Sequence, residues 1–272
     1  MSPYTLIIPL YRGDQPAWVR EALSSMAEQT CRPDETIVVI DGPVSSELTA
    51  SIDEYTQSLR IKKLYLAENV GLGQALAVAL LAASYEIVVR MDADDIALRE
   101  RCEKQVTFMD SHSNIAVLGA QVAEFETSPK LAYGLRQVPE SPEAIRQMLP
   151  WRNPMNHMTV VFRKSAILSV GGYHDFKLVQ DYDLWGRLIS RGYQCANLPE
   201  ILVLARAGGK MFKRRGGLQY WREELMLFER LVSYGVVDRF RAVVSLSIRG
   251  LARVMPRFLR NAFYRRIRVR TG

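Results

Sequence analysis

Four short apolar runs, separated by amphipathic stretches, constrain this chain more than any other feature. They are Thr5–Leu10, Thr36–Ile40, Lys63–Leu66 and Ile87–Met91. Thr36–Ile40 and Ile87–Met91 are nearly continuous rather than alternating, as in strands buried on both faces. Between the runs, Pro16 to about Glu28, Ser46–Ser58 and Gln74–Ala83 read as helices, the first with Trp18, Ala22, Leu23 and Met26 on its apolar side. Strand and helix thus alternate from the start. This predicts an α/β fold with a Rossmann-like, doubly wound sheet and ligands at the carboxyl ends of its strands. Pro9 is expected to stop the first strand, and Asp41-Gly42-Pro43 the second.

The fourth run ends in three carboxylates within four residues, Asp92, Asp94 and Asp95. Like charges so close repel, and burying them unpaired is costly. A divalent cation answers both problems. Asp92 and Asp94 are two apart and point the same way at a strand end. Hard oxygen ligands suit Mg²⁺ or Mn²⁺. The plainer alternative is a helix start capped by Asp94 or Asp95. Asn69-Val70-Gly71-Leu72-Gly73 reads as a loop before a helix, with the Asn69 side chain holding the turn. It lacks the third glycine of a dinucleotide fingerprint.

Further along, Arg99–His112 reads as a helix, Ile115–Gly119 as a strand, and Val122–Phe125 as its extension or neighbour. Pro139–Leu149 and Lys164–Val170 read as short helices, Met158–Phe162 and Ile201–Leu204 as strands, and Asp181–Gly192 as an amphipathic helix. Gln180-Asp181-Tyr182-Asp183 sets carboxylates at that last helix start. They serve as caps, or as a general base for an acceptor hydroxyl. His157 is open to three readings: metal ligand, acceptor contact, or a hydrogen-bonded loop histidine, the commonest fate.

With 272 residues, 48% of them hydrophobic, the chain builds one large domain or one domain plus an appendage. Cys31, Cys102 and Cys195 are odd in number and dispersed, which fits a reducing compartment better than a disulfide framework or a zinc site. No signal-peptide pattern opens the chain, and no apolar run reaches membrane-spanning length. Charge is segregated: residues 1–205 carry 19 Lys/Arg against 25 Asp/Glu, and residues 206–272 carry 17 against 4. We therefore divide the chain into a catalytic domain, 1–205, and a basic helical C-terminal region, 206–272. Within Leu246–Arg270, helical spacing puts Arg249, Arg253, Arg257 and Arg260 on one side and Leu251, Met255, Phe258 and Ala262 on the other, with a kink or restart at Pro256. This pattern suits an interfacial helix on anionic lipid. The alternatives are a core-packed helix with a solvated arginine face, and nucleic-acid binding, for which no recognition motif is present.

Taken together, Pro9 at the end of the first strand, Asp41-Gly42, Asn69 with Gly71-Leu72, Arg90-Met91-Asp92-Ala93-Asp94-Asp95 and Asp181-Tyr182-Asp183-Leu184-Trp185 occur in an order that resembles a family-2 glycosyltransferase. The likeness is to the bacterial surface-polysaccharide type with the GT-A fold. It covers roughly the first three quarters of the chain and is specific as an ensemble. It implies a mixed doubly wound sheet and an inverting enzyme with a nucleotide-sugar donor. Pro9 and Tyr11 would line the nucleotide pocket and Asp41 bind the base. Asn69, Gly71 and Ala75 would lie along the nucleoside, with Arg90, Asp92 and Ala93 also at the nucleotide. Asp92 and Asp94 would hold Mn²⁺ or Mg²⁺, with His157 a further candidate ligand, and Asp181 would be the base. The family usually has Glu before that aspartate, whereas this chain has Gln180.

The expected reaction moves a hexose, from a UDP-sugar by family frequency, to a glycan acceptor, lipid-linked, at the inner face of the cell membrane, with no role for nucleic acid. A nucleotidyltransferase is the first rival. It would carry a Gly-rich basic loop where Tyr11-Arg12-Gly13-Asp14 stands. A non-catalytic membrane or nucleic-acid binding protein is the second, and Asp92, Asp94 and Asp181 speak against it.

Overall fold

The computed structural model describes residues 1–207 and 218–254. Four parallel strands form its first half: β1 (Tyr4–Tyr11), β2 (Glu35–Asp41), β3 (Ile61–Tyr65) and β4 (Ile87–Arg90). They are linked by α1 (Pro16–Ala27), α2 (Ser46–Asp53) and α3 (Leu72–Ala82). The second half adds β5 (Ile96–Ala97), α4 (Arg101–Ser111), β6 (Ile115–Phe125), β7 (Gly134–Arg136), α5 (Pro142–Met148), β8 (Val161–Arg163), α6 (Lys164–Ser169), α7 (Gln180–Ser190) and β9 (Gln194–Arg206). Two helices follow, α8 (Leu218–Ser233) and α9 (Arg239–Val254).

Among the described residues, the nine strands form one sheet in the order β3-β2-β1-β4-β8-β6-β9-β5, with β7 beside β6. β8 runs antiparallel to both β4 and β6, which makes the sheet mixed. Alternate residues of the central strands feed opposite faces. Ile7, Ile37 and Val39 join the core under α3 and α7, while Leu6, Ile8, Val38 and Ile40 join the core under α1, α2 and α4.

Two local outcomes depart from the sequence expectations, and a third settles an alternative left open there, with Val122–Phe125 extending the strand before it. Pro9 does not stop β1. The carbonyl of Ile7 accepts from Met91 N–H, so Pro9, two residues on, faces the same side just past the end of β4. Its missing donor therefore costs no ladder bond. β9 is 13 residues long, not four, because Pro199 falls in a bulge where the register jumps from Gly119↔Asn197 to Gln121↔Ile201. β6 is a single strand buried along its whole length, with Gln121 tied to Val138 N–H, Val138 O and Leu198 O.

The change in charge near residue 206 coincides with the end of β9. α8 nonetheless shares the sheet's core: Leu227, Phe228 and Leu231 cluster with Trp185 and Leu188 of α7. A Cβ on Gly186 would lie 2.3 Å from Leu231 Cδ2, so the two helices meet where α7 has no side chain. The stretch expected to be helical with a kink or restart at Pro256, Leu246–Arg270, is α9 as far as Val254. Arg257, Arg260, Met255, Phe258 and Ala262 lie outside the described residues.

Candidate active site

The carboxyl ends of β1, β2 and β4 open on one edge of the sheet, and the residues singled out in the sequence gather there. Asp41 ends β2 and is buried. Its Oδ1 accepts from Val70 N–H (2.7 Å), and its Oδ2 accepts from Gly71 N–H (3.0 Å) and Asn69 Nδ2 (2.9 Å). One side chain thus holds the whole Asn69–Gly71 loop. Gly42 makes that approach possible: its φ is +85°, and a Cβ there would sit 2.7 Å from Asn69 N. Gly71, at φ +91°, starts α3, and its carbonyl accepts from Ala75 N–H. Ala75 itself is buried in the core beneath the loop. Tyr11 stands at the end of β1, 41% exposed, with its N–H on Asp14.

At the end of β4, Asp92, Asp94 and Asp95 each offer an oxygen within 4.8 Å of the others. This is the one such group of potential ligands among the described residues. Arg90 is buried and grips both oxygens of Asp92 through Nη1 and Nη2. Arg101, also buried, fixes Arg90 by donating to its carbonyl (2.7 Å). Asp95 is buried, with Oδ1 on Arg206 N–H (2.9 Å) and Oδ2 without a hydrogen-bond partner. Burial first, then the charges of Asp92 and Asp94, push its carboxyl well above the usual range. An orphaned buried carboxylate oxygen beside two further carboxylates fits a hard divalent cation. Asp95 was not among the residues assigned to the metal. Arg206, whose N–H holds Asp95, also donates Nε to Asp94 O, pairs with Glu21 and lies over the rings of Trp18 and Phe125. No local signal marks that contact.

His157 is not in the carboxylate group. It is buried, with Nε2 2.9 Å from the Tyr173 hydroxyl and its ring edge-on to Trp185. Burial, with Arg90 adding, holds its imidazole well below the usual range, so it is neutral. Tyr173 is buried as well. Burial pushes its phenol up, and the charges of Arg90, Asp181 and Asp92 all act on it.

Asp181 lies in the first turn of α7, half-buried, with Oδ2 accepting from Asn153 Nδ2 (2.6 Å). Burial raises its carboxyl, while the Asn153 bond opposes the shift. The other candidate, Asp183, is already committed. It is fully buried, with Oδ2 on Arg187 Nε (2.8 Å) and His174 Nδ1 (3.1 Å), and Oδ1 on the Tyr234 hydroxyl (3.0 Å). Neighbouring Gln180 is buried with its Oε1 unpartnered. Asn153 and Tyr173 were missed in the sequence because both reach the site from loops far along the chain.

A parallel α/β half with a loop-holding aspartate at β2, an acidic cluster at β4 and Asp181 on a following helix is the arrangement that the resemblance to a GT-A fold implies. Residues 5–170 match the family described as Glycosyl transferase family 2, and the chain belongs to that family. It is 37% identical to the amylovoran biosynthesis glycosyltransferase AmsE of Erwinia amylovora, over 93% of this chain and 94% of that protein. It is 32% identical to the Escherichia coli UDP-Gal:alpha-D-GlcNAc-diphosphoundecaprenol beta-1,3-galactosyltransferase, over 97% of this chain and 96% of that one. Among solved structures, the S. aureus TarS fragment 1–349 with UDP-GlcNAc superposes with a TM-score of 0.68 at 20% identity, covering 84% of this chain and 66% of that chain. The mannosyltransferase PcManGT of Pyrobaculum calidifontis, solved with GDP-Man and Mn²⁺, gives 0.61 at 16% identity, covering 96% of this chain and 78% of that one. At these identities the likeness is one of fold. Among the described residues, no helix is long and apolar enough to cross a membrane.

Proposed function

We propose that the protein is an inverting, metal-dependent hexosyltransferase that moves a sugar from a UDP-sugar to a lipid-linked saccharide during assembly of a surface polysaccharide. It would work at the inner face of the cell membrane. The observation that carries this reading is the acidic cluster at the end of β4 with its orphaned Asp95 oxygen, together with the Asn153-held Asp181. The names of the relatives add the pathway class, since one is an amylovoran biosynthesis enzyme and another acts on a diphosphoundecaprenol acceptor.

In this reading Pro9 and Tyr11 bracket the base, and Asp41 binds it with lone pairs left after holding the loop. Asn69 and Gly71 run along the nucleoside, with Ala75 shaping the floor beneath them. Arg90 orients Asp92 at the ribose, and Ala93 keeps the backbone close. Asp92, Asp94 and Asp95 hold Mn²⁺ or Mg²⁺, which when bound neutralises the diphosphate leaving group. Asp181 takes the proton of the acceptor hydroxyl, and a raised pKa suits a carboxylate to that task. A single base on the far side of the sugar ring gives direct displacement and inversion. Neutral His157 stays outside the metal group and fixes the Tyr173 hydroxyl on the acceptor side.

Thermal unfolding with UDP, with Mn²⁺, and with both tests the donor half. Joint stabilisation is expected, of about 2.7 kcal/mol when the free ligand is about 100 times its Kd. A melting temperature unmoved by the pair would overturn the reading. Sugar release from a panel of nucleotide sugars then identifies the donor.

A further inference from the structure

α9 carries its charge and its apolar surface the opposite way round from an ordinary surface helix. Arg249 is turned toward the protein. Its Nη1 pairs with Glu224 (2.5 Å), its Nη2 donates to the Trp151 carbonyl (2.8 Å), and its guanidinium lies over Phe228. Ala242 and Ser245, on the same side, are buried. The outward side presents Phe240, Val243, Ile248 and Leu251, exposed by 77, 63, 58 and 69%. At about 100° per residue these four form one stripe along the helix. Isolated apolar side chains on a surface mean little, but a continuous row of large ones marks an interaction face. Arg239 and Arg241, both exposed, stand at the start of the stripe, Arg241 paired with the exposed Asp238 (3.2 Å). Past its end, residues 255–272 contain six arginines and no acidic residue.

We propose that this stripe of α9 is the face by which the protein docks on an anionic lipid bilayer. Apolar side chains would enter the headgroup boundary, and the arginines on either side in the sequence would meet lipid phosphates. The charge distribution selects this occupant. The sequence after the stripe is strongly basic, which favours an anionic surface over a second, equally basic copy. Arg249 ties α9 to Trp151, and Asn153, two residues on, holds Asp181. α9 is thereby tied to the loop that holds Asp181. The inference rests on the lipid-linked acceptor reading above.

Co-sedimentation of the full chain with phosphatidylglycerol/phosphatidylcholine vesicles, and with phosphatidylcholine vesicles alone, tests it at low ionic strength. The wild type is expected to bind the anionic vesicles, and the double variant Phe240→Ser/Leu251→Ser to lose about ten-fold or more of that partitioning. Hydrolysis of soluble donor and the UDP/Mn²⁺ thermal shift should be unchanged in the variant. In the full chain, Phe240→Trp should bind as well as wild type and show an emission blue shift with anionic vesicles, a readout independent of how the serine variant folds. Equal binding by wild type and the double variant would mean that the arginines act alone or that residues 255–272 cover the stripe, and would overturn the proposal. A wild-type dimer that the double variant breaks, with no vesicle binding, would overturn it in favour of a second copy. Neither result touches the donor reading, because vesicle binding involves no sugar nucleotide.

Discussion

At the scale of single residues, Asp181 and Asp183 show how two like groups acquire different roles. Both lie in the first turn of α7. Asp183 is fully enclosed by Arg187, His174 and Tyr234, whereas Asp181 has one side-chain donor, Asn153, and partial access to solvent. Asp181→Asn should bind UDP as well as wild type yet lose transfer by about 10²–10⁴-fold. A loss of only a few-fold in a transfer assay would move the base elsewhere. Burial raises the Asp181 carboxyl, so the acid limb of the transfer profile should lie above the ordinary aspartate value of about 3.9. The same shift fixes a sign in stability. A carboxyl with a raised folded pKa contributes stability below its unfolded pKa and loses it as pH rises through the folded value. Asp181→Asn should therefore be more stable than wild type at neutral pH, with the difference closing in acid, as denaturant midpoints would show. Asp183→Ala should behave oppositely: it strands buried Arg187, at a cost of about 3–5 kcal/mol by chemical denaturation.

At the scale of elements, the donor loop depends on a glycine. Gly42→Ala would force a side chain into a positive φ and bring Cβ within 2.7 Å of the Asn69 backbone. The conformation alone costs about 1–2 kcal/mol, and the collision displaces the loop that Asp41 holds. UDP affinity should fall with it, and calorimetric titration would reveal a donor site that had not moved. Much of the first half was legible. β2, β4, α1 and α3 were read within a few residues of their bounds, because strands buried on both faces and helices with one apolar stripe announce themselves locally. β5 and β7 were missed because two and three residues are too short to show a period. β9 was read only from Ile201 because Pro199 and Glu200 break its pattern, and the bulge that accommodates them exists only against β6.

At the scale of the whole molecule, α8 closes the core over the helix that carries Asp181. Leu227, Phe228 and Leu231 are fully buried there, each contributing about 1.5–3 kcal/mol. Their sum rivals the total stability of a typical domain, about 5–15 kcal/mol. A chain ending at Ala207 is therefore expected to be aggregated or molten, and a cooperative melt from that truncation would contradict the packing. The sequence by itself determined the parallel first half and the acidic cluster at the end of β4, since both are written in consecutive residues whose period and spacing need no distant partner. Tertiary structure alone decided which aspartate of α7 is enclosed, that Asp95 is buried with one oxygen unpartnered, and which side of α9 faces outward. Each of these turns on a partner that only folding supplies: His174 and Tyr234 beside Arg187 for Asp183, the Arg206 N–H for Asp95, and Glu224 with the Trp151 carbonyl for Arg249. A helical period fixes which residues share a face, but only the partner that arrives through folding determines whether that face, arginine included, turns inward.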